Sequence, residues 1–191
     1  MTITWPPVST SLDLDPDRAR LGHQHAVQSF IDLARAVPAE RWDRSTSDTV
    51  WSPAQIAEHL RRTYEVVGAQ LTGRGSGIRV RTSWWLRLVL RWRYMGDILA
   101  RGAIPRGARA PREIRPGAGP FDRDNTLAEL QLAADAAERA LVERWDDAAC
   151  VMTHHVFGNL RPPEAMRFAA VHATHHAKQI TARTSSAIDA A

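Results

Sequence analysis

Helical periodicity is the feature that most limits the folds open to this chain of 191 residues. Apolar residues recur every three or four positions along four long segments, which is the spacing of one helix face, and no segment shows a convincing alternation of period two. This pattern predicts an all-α fold, a four-helix bundle formed by a single domain over residues 1–191. The predicted long helices cover 17–37, 53–72, 125–145 and 163–183.

The start of the second long helix carries the strongest local signal. In Trp51-Ser52-Pro53-Ala54-Gln55, Ser52 is placed to cap the helix, Pro53 suits its first position and Gln55 completes a capping box. Gly73 is suited to end it. For the other N-termini we predict Asp15 as the cap of the first helix, and Asp124 or Asn125 as the cap of the third.

Three further segments lie outside this four-helix pattern. An additional helix is predicted over 83–101, with Trp85 and Trp92 on its inner face, and we interpret both tryptophans, like Trp51, as core residues. Residues 102–121 contain several glycines and prolines and predict a long irregular loop. The tail, 184–191, is expected to be flexible.

The composition and the N-terminal sequence indicate the cellular compartment and the kinds of partner to expect. The single cysteine, Cys150, excludes an intrachain disulfide, and the N-terminus lacks the pattern of a signal peptide, so we expect a cytoplasmic protein. Residues 84–99 form the most apolar segment, but it is too short and too charged to span a bilayer, and we expect no membrane partner.

The net charge of +4 hides an asymmetry. Between Arg74 and Arg115 there are 11 arginines against Asp97 and Glu113, a balance of +9, which leaves −5 for the rest of the chain. A solvated arginine-rich surface is the simplest interpretation, and attraction of anionic ligands is the alternative. No recognised nucleic-acid motif accompanies the charge, so nucleic acid is not an expected partner.

The densest chemical signal lies in the last predicted helix. His172 and His176 are four residues apart and therefore share one face with Gln179, on the stripe predicted to face the core. Burying two imidazoles without partners is unfavourable, whereas a metal ion binds both, and this spacing is common among zinc ligands. His59, on the inward stripe of the second helix, is the best candidate for a third ligand. Histidines at the surface or hydrogen-bonded in the core are the alternative.

Other polar residues are candidates for the wall of such a site. They would orient a ligand imidazole or line a pocket, and for each a purely structural role is the alternative. His23 in particular fits a hydrogen-bonded core residue, and Cys150 is interpreted as inert. The candidates are His175, Gln179, Gln55, His154 and His23.

Three stretches resemble the DinB-like superfamily, which includes the YfiT-like proteins. They are WSPAQIAEHL at 51–60, the run of His172, His176, Gln179 and Ile180, and HHVFGNL at 154–160, where His155 stands in place of the proline usual in one branch. The resemblance implies a DinB-like four-helix bundle with a mononuclear metal site. The metal-binding pattern of the superfamily maps onto His59, His172 and His176 in this chain.

The resemblance also implies a class of activity. Members of the superfamily include metal-dependent thiol S-transferases, and many others are described as metal-dependent hydrolases. We therefore expect one divalent ion, with zinc or nickel favoured and iron as an alternative, together with a small-molecule substrate and, for a transferase, a low-molecular-weight thiol. Arg106, Arg109 and Arg112 are candidates for binding the carboxylates of such a thiol. A non-catalytic metal- or ligand-binding bundle remains the alternative, and a homodimer is left open.

Overall fold

The computed structural model describes residues 15–45, 47, 50–75, 78, 83–101, 104 and 110–185. Within these residues the helices are α1 (Pro16–Arg35), α2 (Ala39–Trp42), α3 (Pro53–Leu71), α4 (Trp84–Leu90), α5 (Gly96–Arg101), α6 (Arg123–Glu143) and α7 (Pro162–Ser185). A π-helical turn (Arg91–Met95) joins α4 to α5, and a 3₁₀ turn (Arg112–Ile114) precedes α6. Two strands, β1 (Met152–His154) and β2 (Gly158–Leu160), lie between α6 and α7.

The four long helices form the predicted bundle. Helix α1 packs mainly against α7, and α3 packs mainly against α6, while contacts of α6 with α1 and α7 join the two pairs. Their apolar faces meet in one core cluster that includes residues from all four helices. The all-α prediction is therefore confirmed. Fully buried members of this core are Phe30, Ile56, Leu60, Leu130, Met166 and Ile180.

The helix starts follow from local hydrogen bonds. The capping box is present on α3, where the Ser52 hydroxyl accepts from Gln55 N and the Gln55 side chain accepts from Ser52 N. Asp15 caps α1 as predicted. The predicted cap of the third long helix was wrong, because α6 starts earlier: the Asp122 carboxylate accepts from Asn125 N at 2.8 Å.

The sequence pattern missed a β-hairpin before α7. Strands β1 and β2 pair antiparallel, with Met152 opposite Leu160 and His154 opposite Gly158. Each strand has three residues, too few for an alternation of period two to stand out. Gly158 adopts a φ of 73°, which glycine tolerates at no steric cost. The hairpin brings His154 and His155 to the end of the bundle where α7 begins.

The segment over 83–101 is helical, as predicted, but its exposed face differs from the predicted one. Met95 and Ile98 are buried, whereas Trp85 and Trp92 are 57% and 85% exposed, so their assignment to the core was wrong. Trp92 and the buried Met95 both lie in the π turn, where the spacing of 3.6 residues per turn assumed in the prediction does not hold.

The irregular segments are described only in part. Residues 102, 103 and 105–109 of the predicted loop, including Arg106 and Arg109, lie outside the described residues, as does the tail from 186 onward. Helix α7 continues to Ser185, so the predicted tail begins as helix. Among the described residues, no helix combines the length and the apolar character needed to cross a membrane.

Candidate metal centre

Three imidazoles from two helices converge at one point of the bundle. Nε2 of His172 lies 3.3 Å from Nε2 of His59 and 3.0 Å from Nε2 of His176. His59 comes from the middle of α3, and the other two residues come from successive turns of α7. His59 and His176 are buried, and His172 is half-buried. The prediction placed His172 and His176 on one face of the last helix and His59 on the inward stripe of the second, and this geometry agrees with it.

The outer nitrogens of two of these rings fix their tautomers. Nδ1 of His59 lies 2.8 Å from the carbonyl oxygen of Ile114, which can only accept, so the neutral His59 ring carries its proton on Nδ1. Nδ1 of His176 lies 2.9 Å from Oε1 of Gln179 and donates in the same way. Both rings therefore present the unprotonated Nε2 to His172.

This arrangement leaves more acceptors than protons at the centre. His172 can donate from Nε2 to one neighbour at most, so the other Nε2 contact brings two lone pairs together. A cation among the three nitrogens would satisfy all of them. Tetrahedral zinc, with Zn–N bonds of about 2.0–2.1 Å, separates its nitrogen ligands by about 3.3–3.4 Å, close to the separations here. The three-histidine group is thus compatible with a metal ion.

The surroundings keep the imidazoles neutral. Burial lowers the pKa of His59 to about 4, against the opposing effect of its hydrogen bond to Ile114. The pKa of His172 lies well below its usual range. Burial is the largest cause, and the neighbouring imidazoles of His176 and His59 add to it. Because only a neutral imidazole can ligate a metal, these shifts preserve ligand capacity under mildly acidic conditions.

Gln179 and His175 lie beside the ligand set. The side-chain oxygen of Gln179 accepts a hydrogen bond from Nδ1 of His176. The side-chain nitrogen of Gln179 donates to Nε2 of His175 at 3.0 Å. Gln179 therefore orients His176, the role expected from its place on the same helix face. His175 holds the amide in that orientation, and burial lowers the pKa of His175, which keeps the ring neutral and able to accept.

Two neighbours of His59 were not predicted from sequence. The carbonyl of Ile114 belongs to the 3₁₀ turn inside the predicted irregular loop, so no side-chain pattern points to it. The Trp51 ring lies 4.9 Å from that of His59, tilted by 45°. The capping motif could have suggested this contact, because Trp51 precedes the cap that fixes the entry of the chain into α3.

The hairpin supplies two further histidines. Nδ1 of His154 accepts from the backbone N–H groups of Val156 and Phe157, both at 3.2 Å. Its ring stacks on Phe157 and meets the edge of Phe168, which in turn stacks on His172. Burial lowers the pKa of His154 to about 3. His154 thus joins the hairpin to the histidine cluster through Phe168.

His155, which the sequence analysis noted only as a replacement for proline and not as a site residue, lies near enough to lower the pKa of His59. Its own pKa is lowered by burial, against the opposing charge of Glu113. The substitution of histidine for the usual proline in HHVFGNL was the available signal. It adds a titratable ring to this end of the bundle.

Gln55 and His23 occupy structural positions. Beyond its role in the capping box, Gln55 donates from Nε2 to the carbonyl of Gly117 at 3.1 Å, which ties α3 to the segment before α6. His23 is buried between Glu138 and Tyr64, with both ring nitrogens hydrogen-bonded at 2.9 Å. This is the hydrogen-bonded core alternative that the sequence left open for His23.

Comparison with known proteins agrees with the helical fold. The family model described as the DinB superfamily matches residues 23–180, a span that includes His59, His172 and His176. Neither the curated proteins nor the solved structures gave a match. Because the family match covers most of the chain, this protein belongs to the DinB superfamily.

Proposed function

We propose that this protein is a metal-dependent enzyme that binds one divalent ion through His59, His172 and His176 and transfers a low-molecular-weight thiol to an electrophilic small molecule. The observation that carries the metal-binding part is the convergence of three Nε2 atoms, two of which are held unprotonated by Ile114 and Gln179. Membership of the DinB superfamily supports the same ligand set. Zinc or nickel suits three imidazoles best, with iron as an alternative.

The ligand set leaves coordination positions for a substrate. When bound, a divalent ion supplies Lewis acidity that lowers the pKa of a thiol or a water at its open position. The chain's own residues hold the geometry: the Ile114 carbonyl fixes the His59 ring, and Gln179 fixes that of His176. His172 lies between the other two rings and is half-buried as a residue.

A thiol nucleophile fits the surroundings better than a water activated by a carboxylate base. Glu58 precedes His59 in sequence, but it is buried and forms two hydrogen bonds to Arg61, at 2.7 and 2.9 Å, which occupy both of its oxygens. Arg112, by contrast, is exposed at the start of the 3₁₀ turn whose Ile114 holds His59. Its guanidinium is available to bind a carboxylate of the incoming thiol.

A conjugation assay tests this proposal. Monochlorobimane and a panel of thiols (cysteine, glutathione and 2-mercaptoethanol) are incubated with metal-free protein and with protein supplied with zinc or nickel. In the reaction the thiol sulfur forms a bond to carbon, chloride leaves with the electrons of the carbon–chlorine bond, and the thiol proton passes to solvent. We expect metal to accelerate conjugation of at least one thiol by about tenfold or more, and His172→Ala to abolish the gain.

The other outcomes separate the alternatives. Metal-dependent hydrolysis of esters or amides without thiol conjugation would replace the transferase with a hydrolase. A protein that holds its metal and shows neither activity would overturn catalysis and leave a metal-binding bundle protein. His25→Ala, which alters an exposed histidine on α1, is the matched control and should retain the wild-type rate.

A further inference from the structure

The helical segment over 84–101 carries an apolar surface that the bundle does not cover. Trp85, Val89 and Trp92 follow one another at helical spacing and are 57%, 50% and 85% exposed. Trp84 and Tyr94 of the same segment are 69% and 40% exposed. We call Trp85, Val89 and Trp92 the tryptophan face. Scattered exposed apolar residues are normal, but large aromatic rings grouped on one helix mark an interaction surface.

The opposite side of the segment is fixed to the protein. Met95 and Ile98 are buried in the core. Arg91 donates to the carbonyl oxygen of Asn159 at 2.9 Å and forms an ion pair with Glu164 at the start of α7. These contacts set the rotation of the helix, so the tryptophan face is held toward solvent rather than folding back.

The charge of the same segment indicates the partner. Residues 84–101 hold four arginines against Asp97, a sequence balance of +3. A two-fold dimer through this face would bring two such basic segments together, which charge repulsion opposes. A negatively charged partner is complementary instead. The side chain of Arg93, next to Trp92, is 59% exposed; it pairs with Asp97 at 3.3 Å and lies over the Tyr94 ring.

We propose that the tryptophan face docks on an anionic phospholipid surface. Tryptophan is favoured at the boundary between headgroups and acyl chains, and arginines beside it bind lipid phosphates. Val89, an aliphatic residue in the middle of the stripe, gains from contact with acyl chains and would gain nothing from a nucleic-acid backbone. The sequence-based expectation of no membrane partner came from the lack of a spanning segment, and a helix lying on the surface needs none.

Vesicle binding tests this inference with the full chain. Wild-type protein is titrated with vesicles of phosphatidylcholine alone and of phosphatidylcholine mixed with phosphatidylglycerol, and binding is followed by co-sedimentation. We expect at least about tenfold tighter binding to the anionic vesicles, weakened by added salt. The double variant Trp85→Ser, Trp92→Ser should lose about tenfold or more of that affinity.

Leu132→Ser is the matched control. Leu132 is an apolar residue on α6, and its 69% exposure lies between the exposures of Trp85 and Trp92. It lies outside the tryptophan face. Its substitution should leave vesicle binding unchanged. Because all substituted side chains are exposed, circular dichroism should show every variant folded.

Three results would overturn the proposal. The first is failure of the wild-type protein to bind anionic vesicles. The second is full binding by the tryptophan variant, which would make the attraction purely electrostatic. The third is a wild-type dimer that the tryptophan substitutions convert to a monomer while the monomer ignores vesicles, which would assign the face to a second copy of the chain.

Discussion

His172→Ala should lower the affinity for zinc by at least about 100-fold, because it removes the ring whose Nε2 contacts both other ligand nitrogens. Loss of an outer partner of a ligand typically costs 10–100-fold, and loss of the ligand itself costs more. Isothermal titration of metal-free protein with zinc at neutral pH measures the effect. The His172→Ala protein should remain folded, since the substituted side chain is half-buried and the core around it is intact.

The control for this experiment is His25→Ala. His25 is exposed on α1, two residues from the buried His23, and its loss should leave the zinc affinity within about twofold of the wild type. An equal loss of affinity in both variants would mean that zinc binds adventitiously to surface imidazoles. Retained affinity in His172→Ala would remove this residue from the ligand set.

Glu138→Ala should destabilise the fold by about 1–3 kcal/mol, the cost of leaving a buried polar group without its partner, without changing the zinc affinity. The Glu138 carboxylate is buried and accepts from Nδ1 of His23 at 2.9 Å and from Nε2 of Gln24 at 2.7 Å, and Tyr64 contacts the far side of the His23 ring. Removing it leaves a buried imidazole without its partner, which is among the most costly changes in a core. Urea unfolding of the metal-free protein measures the loss.

Glu143→Ala is the control on the same helix, because Glu143 is exposed near the end of α6. Its effect should stay within about 0.5 kcal/mol. A loss below about 1 kcal/mol for Glu138→Ala would show that the network contributes little to folding. A parallel fall in zinc affinity would instead place His23 and Glu138 in the function of the metal centre.

The bundle could be predicted because the signals of a long amphipathic helix lie within the helix itself and at its ends. The spacing of apolar residues, the capping box at Ser52 and the position of Asp15 each indicate a helix without reference to distant residues. The pair of His172 and His176 could be placed on one inner face for the same reason. His59 was the best candidate for a third ligand because it lies on the inward stripe of the second helix, and the resemblance to the superfamily pointed to the same residue.

The parts that were missed depend on contacts between distant segments. Nothing in the sequence near Ile114 indicates that its carbonyl lies 2.8 Å from a histidine 55 residues earlier. The hairpin that carries His154 is too short to show strand periodicity. Trp92 lies in a π turn whose first residue, Arg91, pairs with Glu164 at the start of α7, and this long-range contact is not visible in the periodicity of 84–101.

The central claim is that three imidazoles form one metal site, and the metal content of the protein tests it most directly. Protein purified without a metal-affinity step is analysed for its elements, and the metal-free form is titrated with zinc and nickel between pH 7.5 and pH 4. An ordinary imidazole loses ligand capacity below about pH 6. Because burial lowers the pKa of His59 to about 4 and that of His172 well below its usual range, uptake should persist at pH 6. The account predicts about one divalent ion per chain at neutral pH, lost in His172→Ala; a protein that contains no metal and takes up neither zinc nor nickel at neutral pH would contradict it.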